Sequence, residues 1–309
     1  MPYLPTGDEI AAVKQYVKEV FVKVELLNHD FTIIDALTGN LISDSFSMDS
    51  ESKQRRSYSC NLYVSDYSLT VGQHNKIWID KYIRVYYGIK SMRRKEIIWW
   101  CLGTFTYLTA NYSFSATDCT LSLSCADMMA DYDGTKGGLI HQTKYDDITG
   151  ESANGFKIPR VAEYKLDANG DYAYDSEGKR IVISYNKIRD SIEALVQHAG
   201  ITNYQIEDYP DGEEGLIPYD LEYSGEVNYC QVWTDICELY PSWEFFFDTD
   251  GTFIWRKIPT GLDERVATDN SLIDPLYITE SINNSFQGIY NVTEVWGKTF
   301  SLTNEDRYA

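Results

Sequence analysis

The chain has 309 residues, of which 43% are hydrophobic and 14% aromatic, including 25 tyrosines and 7 tryptophans, enough to bury a sizeable core and form two or three domains. Its 47 acidic and 27 basic residues give a formal charge of −20, which speaks against a nucleic-acid binder that works by neutralising phosphates. No apolar run approaches the roughly 20 residues of a membrane span, and the N-terminus MPYLPTGDEI lacks a basic-then-apolar signal, so the sequence predicts a soluble protein with no membrane span and no exporting signal peptide.

Thr6 and Glu9 form a capping-box pattern ahead of Ile10, Val13, Tyr16, Val17 and Val20, which predicts a short amphipathic helix over 7–18, packed on its own core or on a neighbouring subunit. VFVKVELL at 20–27 alternates as a strand. From Asn40 to Asp133 apolar and polar residues alternate repeatedly. Ser57, Ser59, Asn61 and Tyr63 oppose Tyr58, Cys60, Leu62 and Val64, and Thr120, Ser122 and Ser124 oppose Leu121, Leu123 and Cys125. A period of two with β-branched and aromatic residues means strands with one buried face, hence a β-barrel or sandwich. Gly88 and Gly103 fall inside these strand patterns and suggest bulges where the sheet bends. Arg93, Arg94 and Lys95 fill a hairpin tip, which suits either an acidic partner or a solvated turn.

Residues 131–179 are turn-rich and polar, which predicts an exposed insertion. Asp167, Asn169 and Asp171 begin like a calcium loop, but Tyr172 and Gly178 stand where glycine and glutamate are needed, so hairpin turns account for them better. Helices are predicted over 187–199, capped by Asn186 and stopped by Gly200, and over 226–239, limited by Pro241. His198 sits where it favours the first helix's dipole. EDYPDGEEG at 207–215 reads as a loop, WEFFFDTDGTFIWRKIP at 243–259 as a hairpin about Asp248-Thr249-Asp250-Gly251, and 287–299 as a last strand.

Chemistry-bearing patterns are sparse. The chain has no G-x-G-x-x-G, H-E-x-x-H or G-x-S-x-G, and Gly297-Lys298-Thr299 lacks the glycine of a phosphate loop five residues earlier. The four histidines, His29, His74, His141 and His198, are widely spread in sequence. The six cysteines have no C-x-x-C pairing, and Cys230 and Cys237 lie about 10 Å apart along one helix, beyond disulfide reach, so free thiols are expected. The sequence predicts a non-enzymatic chain with no catalytic residue, no cofactor and no metal site.

The order GNLISDSFSMD, QRRSYSCNL, YIRVYYG, WCLGTF and SLSCAD from Gly39 to Asp127 resembles the first domain of tail hub proteins. These are the baseplate or tail-tip hubs of tailed phages, prophages and phage-tail-like particles. The helix at 187–199, Ile217-Pro218-Tyr219-Asp220, the second helix, FFFDTDGTF with Lys257-Ile258-Pro259, and YNVTEVWGK at 290–298 extend the similarity over residues 37–299. The resemblance implies an α+β, mainly β fold, with tail-tube-like β-barrel domains and an inserted α/β region. On this scheme 1–130 form the first barrel with its N-terminal helix, 131–260 the inserted region, and 261–309 the start or part of a second barrel.

It further implies a structural virion protein at the tail tip or baseplate, made in the host cytoplasm. The chain would be a homotrimer that continues the tail tube and contacts distal tail or tube proteins, the tape measure protein, and tip fibre or spike proteins. A carbohydrate- or receptor-binding module of the tail tip is the alternative. DNA would traverse its channel without specific binding, and the −20 charge would partly line that channel and repel phosphates. The second barrel is only begun by 272–299, so it is completed by earlier strands or the chain is truncated. No lysin domain is present in this sequence, so no peptidoglycan-cleaving activity carries over. Arg55 and Arg56, just before a strand, are the candidate intersubunit residues.

Overall fold

The computed structural model describes residues 5–37, 41–64, 67–115, 118–140, 187–209, 221–223 and 227–259, with short pieces between 156 and 185. The chain divides into two units, Met1–Pro259 and Thr260–Ala309. All the described residues belong to the first. The predicted strand at 287–299 and the second barrel lie outside them.

After helix α1 (Gly7–Val13) come β1 (Val20–Leu27), β2 (Ile33–Ala36), β3 (Leu41–Met48), β4 (Arg56–Tyr63), β5 (Tyr82–Lys90), β6 (Ile97–Phe114) and β7 (Cys119–Asp127). These seven strands form one antiparallel sheet in the order β2-β1-β5-β6-β7-β4-β3. Its outermost strands are consecutive in the chain, and that fact dictates its shape. A flat sheet would separate them by about 29 Å at roughly 4.8 Å per strand. Five residue steps from Ala36 to Leu41 span at most about 18 Å. The sheet therefore curls, and its concave face closes over Val24, Leu26, Tyr58, Leu62, Val85, Phe105, Leu121 and Leu123 as a single core.

The long strand β6 turns the corner. Its first half pairs with β5 and its second half with β7, and register shifts interrupt it opposite Val85/Tyr86 and between Tyr107 and Thr109. Each unpaired residue bends the strand and increases its twist. Gly103 sits at the first of these, as its place in the pattern predicts. Gly88 does not mark a bulge: it pairs in register with Trp99, and a β-carbon there would meet the Trp99 ring at 2.7 Å and Ile97 at 2.6 Å. It is glycine to leave room for those side chains.

The predicted closed barrel is corrected to an open, curled sheet. Edge strands β2 and β3 are not hydrogen-bonded to one another among the described residues, because β2 has four residues and matches only the last three of β1.

Beyond a short 3-10 turn at Met128–Asp131, strands β8 (Leu139–Ile140), β9 (Phe156–Ile158), β10 (Ala162–Tyr164) and β11 (Val182–Tyr185) lead to helix α2 (Ile188–His198). Then follow β12 (Tyr204–Ile206), β13 (Leu221–Tyr223), β14 (Val227–Asn228), helix α3 (Tyr229–Leu239), β15 (Trp243–Phe247) and β16 (Phe253–Lys257). Both helices stand where their apolar spacing predicts, and the N-cap of α2 differs from expectation. Lys187 rather than Asn186 occupies the N-cap of α2 and offers no side-chain cap, whereas Asn228 caps α3 by accepting from Gln231 N–H at 2.7 Å. Gly200 ends α2 at φ +80°.

Helices α2 and α3, the 3-10 turn and the β15–β16 hairpin share a second core around Trp233, Trp255, Phe247, Phe253, Leu195 and Met129. Strand β12 adds to this hairpin in parallel with β16. Three residues are too few to show a period, so no pattern announces it. Asp167 accepts backbone N–H bonds from Asn169 at 2.8 Å and Asp171 at 3.1 Å, an Asx turn of the hairpin kind.

Gly138 is held at φ +82°, where a β-carbon would overlap the backbone of Tyr132. Neither the dihedral nor the space admits a side chain. Gly138→Ala is expected to lower unfolding free energy by about 3 kcal/mol or more in urea titration; a loss below about 1 kcal/mol contradicts this packing.

Candidate functional site

The two predicted residues, Arg55 and Arg56, lie on the floor of a groove of about 820 Å³ between the curled sheet and the β15–β16 hairpin. Met48, Trp99, Trp100, Trp255 and Arg256 line it with them. Strand alternation places the pair. Arg56 opens β4 and Arg55 precedes it, so their side chains leave the strand end on different sides.

Each guanidinium is engaged within the chain. Arg55 Nη2 donates to Glu244 Oε2 at 2.7 Å, and Arg256 Nε donates to the other carboxylate oxygen at 2.9 Å. Both cations also lie over the Phe246 ring, at 4.1 and 4.9 Å from its centroid. Arg56 donates to Phe247 O at 3.0 Å and stands 3.7 Å from Asp127 Oδ2 and 4.0 Å from Asp248. Nearby, Arg84 donates to Asp250 O at 2.8 Å and Thr104 to Thr249 O at 2.9 Å. The pair thus pins the hairpin of the second core onto the rim of the sheet.

Two carboxylates beside these arginines titrate in opposite directions. Burial acts to raise Glu244, but hydrogen bonds and charge from Arg55 and Arg256 outweigh it and hold the carboxyl below its ordinary value. For Asp127, burial dominates and pushes the pKa to about 6, against the opposing Met129 N–H, Arg56 and Arg55. The difference is geometric: Glu244 is gripped at both oxygens, whereas Asp127 is 2% exposed and has Arg56 at 3.7 Å.

All six cysteines are free. Burial pushes Cys60 up to about 12 and Cys230 and Cys237 up to about 11, so these thiols stay protonated and act as small apolar packing groups. His198, the last residue of α2, has its Nδ1 2.6 Å from the Tyr229 hydroxyl, which links the two helices. The basic tip at 93–95 meets a partner inside the chain, since Arg94 and Arg93 both pair with Asp8 of α1. Among the described residues, no group of three or more His, Cys, Asp or Glu is placed to hold a metal ion, and no helix is long and apolar enough to cross a membrane.

A second, shallow depression of about 310 Å³ lies on the solvent face of β3, β4, β7 and β6. Two successive cross-strand rows, Ser45-Ser59-Ser124-Thr109 and Ser43-Asn61-Ser122-Asn111, make up most of its lining, with Asp44, Cys60 and Leu123 between them. Asn61 knits its row together, donating to Ser43 Oγ at 3.0 Å and accepting from Ser122 at 2.6 Å. In a chain of net charge −20, none of the eight residues in these rows carries a charge.

No protein-family model matches the sequence, and no curated protein does. Solved structures do overlap with it. The 43 kDa tail protein of prophage MuSo2 from Shewanella oneidensis is 7% identical with a TM-score of 0.42, over 76% of this chain and 52% of that one. The tail protein from Neisseria meningitidis MC58 is 11% identical with a TM-score of 0.38, over 76% and 50%. The half-lidded Francisella PdpA-VgrG complex is 8% identical with a TM-score of 0.39, over 86% and 34%. Two of these three structures are of tail proteins. The chain spans about half the length of the tail proteins it matches, and less of the third.

Arg55→Ala leaves Glu244, whose side chain is 17% exposed, with one cation instead of two. Urea unfolding should show a loss of about 1–3 kcal/mol, and Arg55→Ala combined with Glu244→Ala should lose less than the two single changes together; strict additivity means the pair is uncoupled.

For Asp127, the folded state holds its proton more tightly than the unfolded chain does, so its stabilising effect is complete below about pH 4 and is lost as pH rises through about 6. Relative to Asp127→Asn, the wild type should lose on the order of 2–3 kcal/mol between pH 4 and pH 7. A flat difference between the two profiles shows that Asp127 titrates normally.

Proposed function

We propose that this chain is a structural protein of a phage tail or tail-like particle, a baseplate or tail-tip hub that continues the tail tube toward a tip fibre, spike or lysin module. The observation that carries the reading is the pairing of a motif order with an architecture. The motifs from Gly39 to Asp127 fall on one antiparallel sheet whose ends are drawn together by a four-residue link, and the later motifs that lie among the described residues, the two helices and FFFDTDGTF with Lys257-Ile258-Pro259, fall in an α/β layer set against it. A curled sheet followed by an α/β layer supports the order of a tube-like domain and an inserted region, with the sheet open where the resemblance implies a closed barrel.

In this reading residues 1–130 form the first tube-like domain, 131–260 the inserted region and 261–309 part of a second tube-like domain. Three chains form a ring, with distal tail or tube proteins and the tape measure protein above and fibre or spike proteins below. The protein works at the tail tip of the virion and acts as scaffold rather than enzyme. DNA passes a wall that offers its phosphates no cation, made of acidic side chains that repel them and the neutral hydroxyl and amide face of β3, β4, β7 and β6.

The competing reading is a carbohydrate- or receptor-binding module, which calls for exposed aromatic platforms. None of the described tryptophans is exposed, while Tyr16, Tyr63, Tyr112, Phe114 and Tyr174 are; the scaffold reading assigns these exposed rings to contacts between subunits.

Gold-labelled antibody against this chain should mark one end of the tail in particles from the producing cell, and deletion of its gene should leave particles without infectious tails. Labelling along a fibre supports the binding module, and intact, infectious tails in the deletion strain overturn the scaffold reading.

A further inference from the structure

Helix α1 and the segment after it are tightly held, yet they present an apolar surface to water. Gln15 fixes the backbone: its Nε2 donates to Lys90 O at 3.0 Å and its Oε1 accepts from Met92 N–H at 2.5 Å, bridging the start of the β5–β6 turn. Lys90 N donates to Glu19 O at 3.2 Å, and Lys90 Nζ pairs with the Glu19 carboxylate at 2.8 Å. Asp8 pairs with Arg93 and Arg94. The capping box at Thr6 and Glu9 closes the helix start.

Against this anchoring, Ala12 is the one buried residue of α1. Val13 is 42% exposed, Val17 61%, Val20 56% and Met92 55%, and Tyr16 is fully exposed. Gln15 bonds to the Met92 backbone, so Tyr16 and Val17 stand near Met92, and Val13 and Val20 lie within three residues of them along the chain; we treat the five as one patch.

The patch has a rim of a distinctive sign. Lys14, Lys18, Arg93, Arg94 and Lys95 are all exposed around it. With Lys90 they make six cations against the four carboxylates Asp8, Glu9, Glu19 and Glu96. The local balance is positive in a chain of net charge −20, so the surface that complements it is acidic, and the rest of this chain is that kind of surface.

We propose that the patch of Val13, Tyr16, Val17, Val20 and Met92, with its basic rim, docks onto an acidic face of a second copy of this chain. The rim also fixes the symmetry. A two-fold contact through the patch would set cations against cations, whereas a head-to-tail contact sets them against carboxylates. The association is therefore heterologous, and repeating it closes a ring or grows a filament. Tyr16 is the anchor, an aromatic side chain that has an immobilised backbone and no cover. The proposal rests on the tail-assembly reading for its biological setting but takes its geometry from the patch alone.

The test is multi-angle light scattering of the intact chain over a range of concentrations, at low salt and in 1 M salt, where the Debye length shrinks to about 3 Å. The wild type should exceed the monomer mass of 35.5 kDa and move toward it as salt rises. Tyr16→Ser with Met92→Ser should weaken association by about tenfold or more while circular dichroism and melting temperature stay unchanged, because these side chains support nothing within the chain. Lys14→Glu with Lys18→Glu, two exposed rim cations that take no part in the Asp8 and Glu19 pairs, should do the same and also cap wild-type assemblies when mixed with them, since the acidic face remains intact.

A wild type that is monomeric throughout, one whose association ignores both variants, or one that stops at a two-fold dimer overturns the proposal. Failure here with gold label at the tail end leaves the scaffold reading standing. Success here with no label on the tail rejects that reading and keeps the surface.

Discussion

The packing of two cores into one unit depends on a cluster of buried charge at the end of β4. Arg55 and Arg56 reach from the curled sheet to the β15–β16 hairpin and meet Glu244, Asp127 and the Phe247 carbonyl there. Such a contact is costly to form, because both ions lose water. It persists because each guanidinium finds several partners at once, and because Phe246 supplies a ring face for two of the cations. Directional contacts of this kind fix orientation in a way that apolar packing does not. Arg84 and Thr104 extend the same seam by bonding to the hairpin turn.

Phe31 reinforces the seam from the opposite direction. It takes a left-handed conformation at φ 61° in the β1–β2 turn, an uncommon one for a bulky residue. Its ring packs on Tyr82 at 5.2 Å and against the second core. A turn that would be solvated in an isolated sheet here covers part of the neighbouring layer. The sheet and the α/β layer thus hold each other through interdigitated turns, with the groove of about 820 Å³ left where the seam opens.

Outside the seam, the surface is divided by chemistry. Over β3, β4, β7 and β6 the solvent side of the sheet is built of small neutral hydroxyl and amide groups, one corner is apolar with a basic rim, and the chain as a whole is strongly acidic. A protein that acted alone would have little use for such segregation, since mixed charges serve solubility better. In the proposed repeating assembly, acidic surface would meet the basic corner, and neutral surface would remain where nothing is meant to adhere.

Much of this was legible from periodicity. Alternation at 57–64 and 120–125 identified β4 and β7 together with their buried faces, and three-to-four spacing placed α2 and α3 within one to three residues. These are local signals, carried by neighbours in sequence, and no tertiary contact is needed to read them. The edge strand β2, the parallel β12 and the unclosed sheet were not legible, because three or four residues carry no period and pairing is decided between distant segments. The roles of Arg55, Arg56 and Arg93 were hidden for the same reason. A cation at a strand start looks the same whether it faces water, another chain or Glu244, which lies 189 residues away. The sequence alone determined which residues turn inward, since burial follows hydrophobic period. Only the tertiary structure decided which charges meet, since an ion pair depends on distance in space, and the chain encodes that only through its whole fold.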